Sequence, residues 1–178
     1  MQHDKFISKP PFSVSTCVFD KARSIRLALF DVDGVMTDGT IYFDQHGEAL
    51  KAFNVLDGQG LKLLQKSGVE VGVISARKSP ALQQRIDNLG IQHAFTGVDN
   101  KLATFDKLRS SLNIMPEHCC FTGDDIIDIE VMRACGLSFS VDNAHYSAKN
   151  IADWVAPQQG GHGAVRAICD IILFAQHT

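Results

Sequence analysis

From Ile25 onward, short apolar runs alternate with longer stretches whose apolar residues recur at helical spacing. The run from Arg26 to Phe30 contains no glycine or proline, and a continuous apolar run of that length suits an interior strand of a parallel sheet. A helix is expected over about 58–67 and a strand over 69–74. The next helix, over 79–89, can be started by Ser79 as cap and Pro80 at the first helical position, and stopped by Gly90. The series continues with a strand near 93–96, a helix over 101–112 with Leu102, Phe105, Leu108 and Leu112 apolar, and a strand over 118–122. A helix over 125–134, a strand over 137–141, a short strand at 153–156 and a helix over 163–175 complete it; the last carries Val165, Ile168, Ile172 and Ala175. Strands alternating with helices define an α/β fold with a doubly wound parallel sheet.

Two segments break the pattern. Between Thr40 and Phe53, the apolar Ile41-Tyr42-Phe43 and the run Ala49 to Phe53 flank Asp44-Gln45-His46-Gly47, which reads as a β-hairpin with a loop of about four residues projecting as a flap. Residues 1–24 hold Pro10-Pro11 and no sustained periodicity, so they are read as a loosely packed or disordered N-terminal extension to a single domain over 25–178.

The bulk properties narrow the function classes. A chain of 178 residues, 45% hydrophobic, can bury one core. A net charge of -3 without a long run of like charges argues against binding nucleic acid or a membrane surface nonspecifically. No apolar stretch reaches spanning length, and the first five residues lack the apolar region of a secretory signal, so a soluble protein is expected. Five cysteines, with Cys119 and Cys120 adjacent and no Cys-x-x-Cys pair, indicate neither a disulfide framework nor a zinc ribbon and fit a reducing cytoplasm.

In a parallel doubly wound sheet, functional groups collect at the carboxyl ends of the strands. Four polar clusters fall there: Asp31 and Asp33 after the first core strand, Ser75 after the second, Lys101 at a helix start, and Gly123-Asp124-Asp125 with Asp128 after the strand ending at Thr122. Strand alternation would point Asp31 and Asp33 to the same side, where two crowded acids need a cation or a shared proton.

In these residues the chain resembles the haloacid dehalogenase superfamily, whose motifs are Asp-x-Asp-Gly, a Ser or Thr after a strand, a Lys, and a terminal Gly-Asp-Asp-x-x-Asp or Gly-Asp-x-x-x-Asp. Gly123-Asp124-Asp125-Ile126-Ile127-Asp128 satisfies both forms of the last. Within that superfamily it is similar to the 3-deoxy-D-manno-octulosonate (KDO) 8-phosphate phosphatases. That likeness rests on Phe30-Asp31-Val32-Asp33-Gly34-Val35, Thr37-Asp38-Gly39, Ile74-Ser75-Ala76-Arg77, Asn100-Lys101, the Gly123–Asp128 segment and the late Gly160-Gly161-His162-Gly163-Ala164-Val165-Arg166.

The resemblance implies a magnesium-dependent phosphatase working through an aspartyl-phosphate. Asp31 would be the nucleophile and Asp33 the general acid and then base. Asp31, the Asp33 backbone carbonyl and Asp124 would hold Mg2+, with Asp125 orienting water and Asp128 outside the ligand set. Ser75, Lys101 and Gly34 would line the phosphate. Lys101 is also expected to keep Asp31 ionised, because a nearby cation lowers a carboxylate pKa, as does the metal. No interval between the motifs can hold a cap domain, so a homo-oligomer, by family precedent a tetramer, is expected to close the site; Tyr42, Phe43, Phe53 and the 160–166 loop are candidates for an intersubunit pocket.

Several residues keep a plainer reading. Asp128 can serve as a structural hydrogen-bond partner and Asp38 and Asp57 as turn or cap residues, while Arg77 is a candidate to bind the substrate's sugar carboxylate through its planar fork, with a surface ion pair as the rival reading. His46, His93, His118 and His145 lack metal-ligand spacing, and the cysteines fit the core. His162 and Ala167 depart from the Arg and Glu of the family's Gly-Gly-Arg-Gly-Ala-Val-Arg-Glu, leaving phosphate steering by this loop open. A nine-carbon sugar acid 9-phosphate is the alternative substrate. A receiver module of phosphorelay signalling is the alternative class, disfavoured because its phospho-accepting Asp lies on a middle strand of the chain order.

Overall fold

The apolar run after Arg26 is the axis of the fold in the computed structural model, which describes residues 12–178; Pro10 and Pro11 lie outside those residues. In chain order the elements are α1 (Thr16–Arg23), β1 (Leu27–Phe30), β2 (Tyr42–Asp44), β3 (Gly47–Leu50), α2 (Val55–Lys66), β4 (Glu70–Ser75), α3 (Pro80–Leu89) and β5 (His93–Thr96). They continue with α4 (Lys101–Ser111), β6 (Cys119–Thr122), α5 (Ile129–Ala134), β7 (Leu137–Ser140), α6 (Tyr146–Ile151), β8 (Trp154–Val155) and α7 (Ala164–His177). Six strands form one parallel sheet in the order β5-β4-β1-β6-β7-β8, and β2 and β3 form a separate antiparallel hairpin.

Every residue of β1 is buried, because helices cover both faces. Ala28 and Phe30 join the core made with α1, α2, α3 and α7, whereas Leu27 and Leu29 pack with residues of α4, α5 and α6. This period-2 division sets the site: Asp31 follows Phe30 in the direction of Leu27 and Leu29, toward the start of α4.

Four elements depart from the sequence reading, one of them the unexpected α6. Residues 16–23 of the presumed extension form α1. Ser15 caps it through Val18 N, and Val18 and Ala22 are buried against the core. Burying a valine contributes about 1.5–3 kcal/mol, and Lys21 adds an ion pair to Asp153 at 2.6 Å. The α2 helix begins at Val55 rather than 58, because the Asn54 side chain accepts from Leu56 N and Asp57 N. The stretch expected as one helix over 125–134 opens with a 3-10 turn, Ile126–Asp128, before α5.

Gly58 and Gly60, unusual within a helix, fit close packing. A Cβ on Gly58 would sit 2.3 Å from Arg85 Nη2, and one on Gly60 would be 3.1 Å from the Arg166 Cα of α7. The flap turn is tighter than expected, with Asp44 paired to Gly47 and only Gln45 and His46 between them.

Candidate active site

Strand β1 ends at Phe30, and the Asp31 amide donates to Thr122 O at 2.9 Å, so the last ladder contact with β6 delivers Asp31 to the carboxyl edge of the sheet. Lys101, the first residue of α4, meets it there. Asn100 caps that helix through Ala103 N at 2.8 Å. The Lys101 ammonium lies 2.9 Å from Asp31 Oδ1 and 2.6 Å from Asp128 Oδ1, with all three side chains buried.

Asp128 is saturated. Its Oδ1 takes Lys101, and its Oδ2 accepts the Asp124 and Asp125 amides at 3.0 and 3.2 Å. This favours the structural reading of Asp128: it ties Lys101 to the loop that carries Asp124. A Cβ on Gly123 would lie 2.4 Å from the Asp128 Cβ, which explains the glycine before Asp124. The 3-10 turn follows from the same contacts, since Asp128 folds back onto the preceding amides.

Oxygens of Asp31, Asp124 and Asp128 can lie within 4.8 Å of one another. Because Asp128 is committed, Asp31 and Asp124 are the pair able to take a cation, and Asp124 Oδ1 is buried without a hydrogen-bond partner among the described residues. A carboxylate pair with an unsatisfied buried oxygen suits a hard divalent cation.

The charge balance points the same way. Burial, reinforced by Asp128, pushes the Asp31 carboxyl up to about 7 even though Lys101 pulls it down. Burial together with Asp31, Asp128 and Asp125 raises Asp124 to about 8. Burial alone would lower Lys101, but Asp31 and Asp128 more than offset it, so its pKa lies above the ordinary value and it stays an ammonium. Lys101 lowers the Asp31 pKa as expected, but without a metal, desolvation and a second carboxylate outweigh one shared ammonium, so the ionised form calls for the cation as well.

Strand alternation does not extend to Asp33. The strand has already ended, and Val32 O accepts from Met36 N and Thr37 N in a tight turn, so the period-2 rule no longer applies. The Asp33 side chain instead pairs with Lys51, with Arg77 Nε 3.8 Å away. Arg77 is half exposed, and this ion pair leaves its reach for a substrate carboxylate open. Ser75, at the end of β4 next to β1, is buried; its Oγ accepts from Arg77 N at 3.2 Å and its proton has no acceptor among the described residues. Asp125 is exposed and accepts from Ile126 N at 2.7 Å.

Gly34 is where the catalytic turn touches the acidic pair. It has φ +91°, and a Cβ there would lie 2.0 Å from Asp124 Oδ2. Gly34→Ala is expected to cost about 1–2 kcal/mol of stability from the positive φ and to weaken divalent-cation binding at least about tenfold by displacing Asp124. Calorimetric titration of the folded variant checks this, and an unchanged cation affinity would contradict it.

The late glycine loop rests on the same turn. A Cβ on Gly160 would fall 1.8 Å from Gly34 O, Gly161 N donates to Val35 O at 3.0 Å, and Gly160 N donates to Asn143 Oδ1 at 2.8 Å. Asp57 fixes the loop from α2. It is buried and accepts from Gly163 N and Arg166 N, capping α7 across the structure where Gly163 has no side chain to do so. Burial raises its carboxyl above the ordinary range despite those two hydrogen bonds. Asp57 is thus a cap, but of another helix, and Asp38 is a turn residue accepting from Thr40 N at 2.8 Å.

Phe53, expected at an intersubunit pocket, packs against the core with Arg85 stacked 5.5 Å from its ring centroid. Tyr42 and Phe43 are exposed on the flap. Sequence reasoning missed Lys51, Glu48 and the capping reach of Asp57. A lysine and a glutamate in a polar hairpin look like solvated residues, and nothing in their spacing marks burial.

Residues 95–168 match the haloacid dehalogenase-like hydrolase family. The fold and site define the chain as a hydrolase of that class. The chain is 47% identical to a 3-deoxy-D-manno-octulosonate 8-phosphate phosphatase of Salmonella typhi over 92% of its own length and 87% of the relative's, and 45% identical to that of Escherichia coli K12 over 96% and 94%. The crystal structure of the Yersinia pestis phosphatase of the same name superimposes with a TM-score of 0.90 at 44% identity, covering 92% of this chain and 89% of that one. A Moraxella catarrhalis phosphatase of that name, in complex with magnesium, phosphate and KDO, matches with a TM-score of 0.87 at 38% identity, covering 90% and 92%. The chain belongs to the 3-deoxy-D-manno-octulosonate 8-phosphate phosphatase family.

Proposed function

We propose that this protein hydrolyses 3-deoxy-D-manno-octulosonate 8-phosphate to KDO and inorganic phosphate, a step toward the lipopolysaccharide inner core, with Mg2+ as cofactor. The observation that carries the reading is the Asp31–Asp124 pair beside Lys101: one buried and one half-buried carboxylate, the latter with a buried, unpartnered oxygen, at the edge of the sheet. Magnesium bound by Asp31, Asp124 and the Asp33 carbonyl supplies charge neutralisation for the phosphate and for the carboxylate that approaches it.

The side chains divide the chemistry. Asp31 attacks phosphorus, forming a carboxyl–phosphate bond as the bond from phosphorus to the sugar oxygen breaks. Asp33 gives its proton to the departing alkoxide, then takes one from the water that attacks the phosphorus of the aspartyl-phosphate, releasing phosphate and free Asp31. Ser75 donates its unused hydroxyl proton to a phosphoryl oxygen, and the Lys101 ammonium stabilises the charge gathered between Asp31 and the phosphate. Gly34 lets the backbone approach the phosphate without a side chain in the way.

The reading extends to a homotetramer in the cytoplasm. Tyr42, Phe43 and Leu50 of the flap and Val55 and Leu56 after it are exposed, an apolar surface that a neighbouring subunit would cover. All five cysteines are free, as in a reducing compartment. Among the described residues no helix is long and apolar enough to cross a membrane.

Phosphate release should be assayed across eight-carbon and nine-carbon sugar acid phosphates, with Mg2+ and with a chelator. The eight-carbon ester is expected to be turned over fastest, and only with the metal. Negligible release from it, or preference for a nine-carbon 9-phosphate, would overturn the substrate, and full activity under chelation would overturn the cofactor.

A further inference from the structure

The flap ends inside the site. Lys51 follows directly on β3, yet its side chain is 1% exposed, and its ammonium pairs with Asp33 Oδ1 while lying 3.2 Å from Glu48 Oε2. Glu48 Oε1 in turn accepts from Ser79 Oγ, the cap of α3. One buried cation therefore joins the flap, the catalytic turn and the start of α3.

The two ends of this chain of contacts are unequally held. Glu48 is gripped on both oxygens, by Ser79 and by Lys51. Although partial burial raises its carboxyl, the hydrogen bonds from Ser79 and Lys51 and the charges of Lys51 and Arg77 bring it below the ordinary value. Asp33 has less support. Its Oδ1 takes Lys51, its Oδ2 accepts no hydrogen bond from the described residues, and Arg77 Nε is 3.8 Å off. An aspartate with one oxygen pinned and the other facing only the longer ion-pair contact with Arg77 has a fixed rotamer and an oxygen free of hydrogen bonds for proton exchange. A buried ammonium bridging two carboxylates is also too costly to leave in place without a well-defined geometry.

We propose that Lys51 is a positioning residue of the flap: anchored by Glu48, it holds Oδ1 of Asp33 and leaves Oδ2 to exchange the proton with the leaving-group oxygen. The inference rests on the proposed phosphatase reading, and it makes the flap part of the proton-transfer apparatus as well as a surface for neighbours.

The test compares two esters by kcat/KM, which reports the steps through leaving-group departure. The sugar phosphate needs a proton on its leaving oxygen, whereas the nitrophenolate of p-nitrophenyl phosphate departs without one. Lys51→Met is expected to lower kcat/KM on the eight-carbon ester about 10–100-fold, up to the lower end of the roughly 100–10,000-fold that general acid catalysis contributes, and on p-nitrophenyl phosphate by less than about threefold. Placed on an Asp33→Asn background, Lys51→Met should add less than about twofold, because it acts through Asp33. Parallel losses on both esters, or a full additional loss without Asp33, would show a merely structural role and overturn the proposal.

Glu48→Gln carries the same comparison should Lys51→Met fail to fold, with a smaller loss and the same split expected; parallel losses there overturn it equally. A wild-type protein that ignores the eight-carbon ester but hydrolyses another alkyl phosphate would sink the substrate reading alone. The alkyl-against-aryl split on that ester would still decide the role of Lys51.

Discussion

Asp31→Asn should reduce phosphate release by about 10,000-fold or more while leaving the fold intact. An amide is not a nucleophile toward phosphorus, so the variant loses the covalent route and not merely a contact. The fold survives for reasons visible around the side chain. Asparagine matches aspartate in size, its oxygen can still accept from Lys101, and it removes one of three acids that crowd the ammonium. Burial and Asp128 already oppose a charge at this position, so in the metal-free protein the neutral side chain costs little. Acid-quenched single-turnover reactions supply the second readout: protein-bound phosphate from the wild type and none from Asp31→Asn. Turnover within tenfold of wild type would remove Asp31 as nucleophile.

The same crowding explains why part of the site could be read from the chain and part could not. Asp31, Lys101 and Asp124 sit at the ends or starts of elements with strong local signals, a breaker-free apolar run, helical apolar spacing and a Gly-Asp turn, and Ser75 ends the strand that precedes the Ser79-Pro80 helix start. Their convergence follows from the topology of a parallel sheet. The strand alternation that divides Leu27 and Leu29 from Ala28 and Phe30 carries on to Asp31, which meets Lys101 at the start of α4.

It stops applying two residues later, where the Val32 carbonyl begins a turn and Asp33 pairs with Lys51. The partners of Asp33 come from a hairpin whose docking is a long-range event, and neither Glu48 nor Lys51 differs locally from a solvated residue. Helix α1 was missed for a related reason. Its inward face is little more than Val18 and Ala22, too few apolar positions to register a period, and its burial is decided by α7. Helix α6, six residues long with Ala148 alone fully buried, is started by the ring of His145, which accepts from Ser147 N, an unusual cap.

Removal of the metal should make stability depend on pH in a direction opposite to that of an ion-paired carboxylate. In the metal-free fold Asp31 and Asp124 titrate near about 7 and about 8, against an ordinary 3.8. Between those limits the folded state keeps protons that the unfolded chain has released. The contribution of this pair to stability is therefore largest at acid pH, declines as pH rises through about 4 to 8, and is flat beyond. A divalent cation reverses the penalty by stabilising both carboxylates in the charged form, and protons compete with it for the same oxygens.

The metal-induced rise in Tm should accordingly be small at pH 5 and greatest at pH 8 and above. At one hundred times the dissociation constant, a gain of about 2.7 kcal/mol corresponds to about 5–10 °C for a domain of this size. Melting curves with Mg2+ and with a chelator, taken at unit steps from pH 5 to 9, measure the effect. Asp124→Asn serves as the control, since it removes one of the two raised acids and with it about half of the pH slope and most of the metal response. A metal shift that is constant across the series, or greater at pH 5 than at pH 8, would mean that Asp31 and Asp124 do not form the cation site.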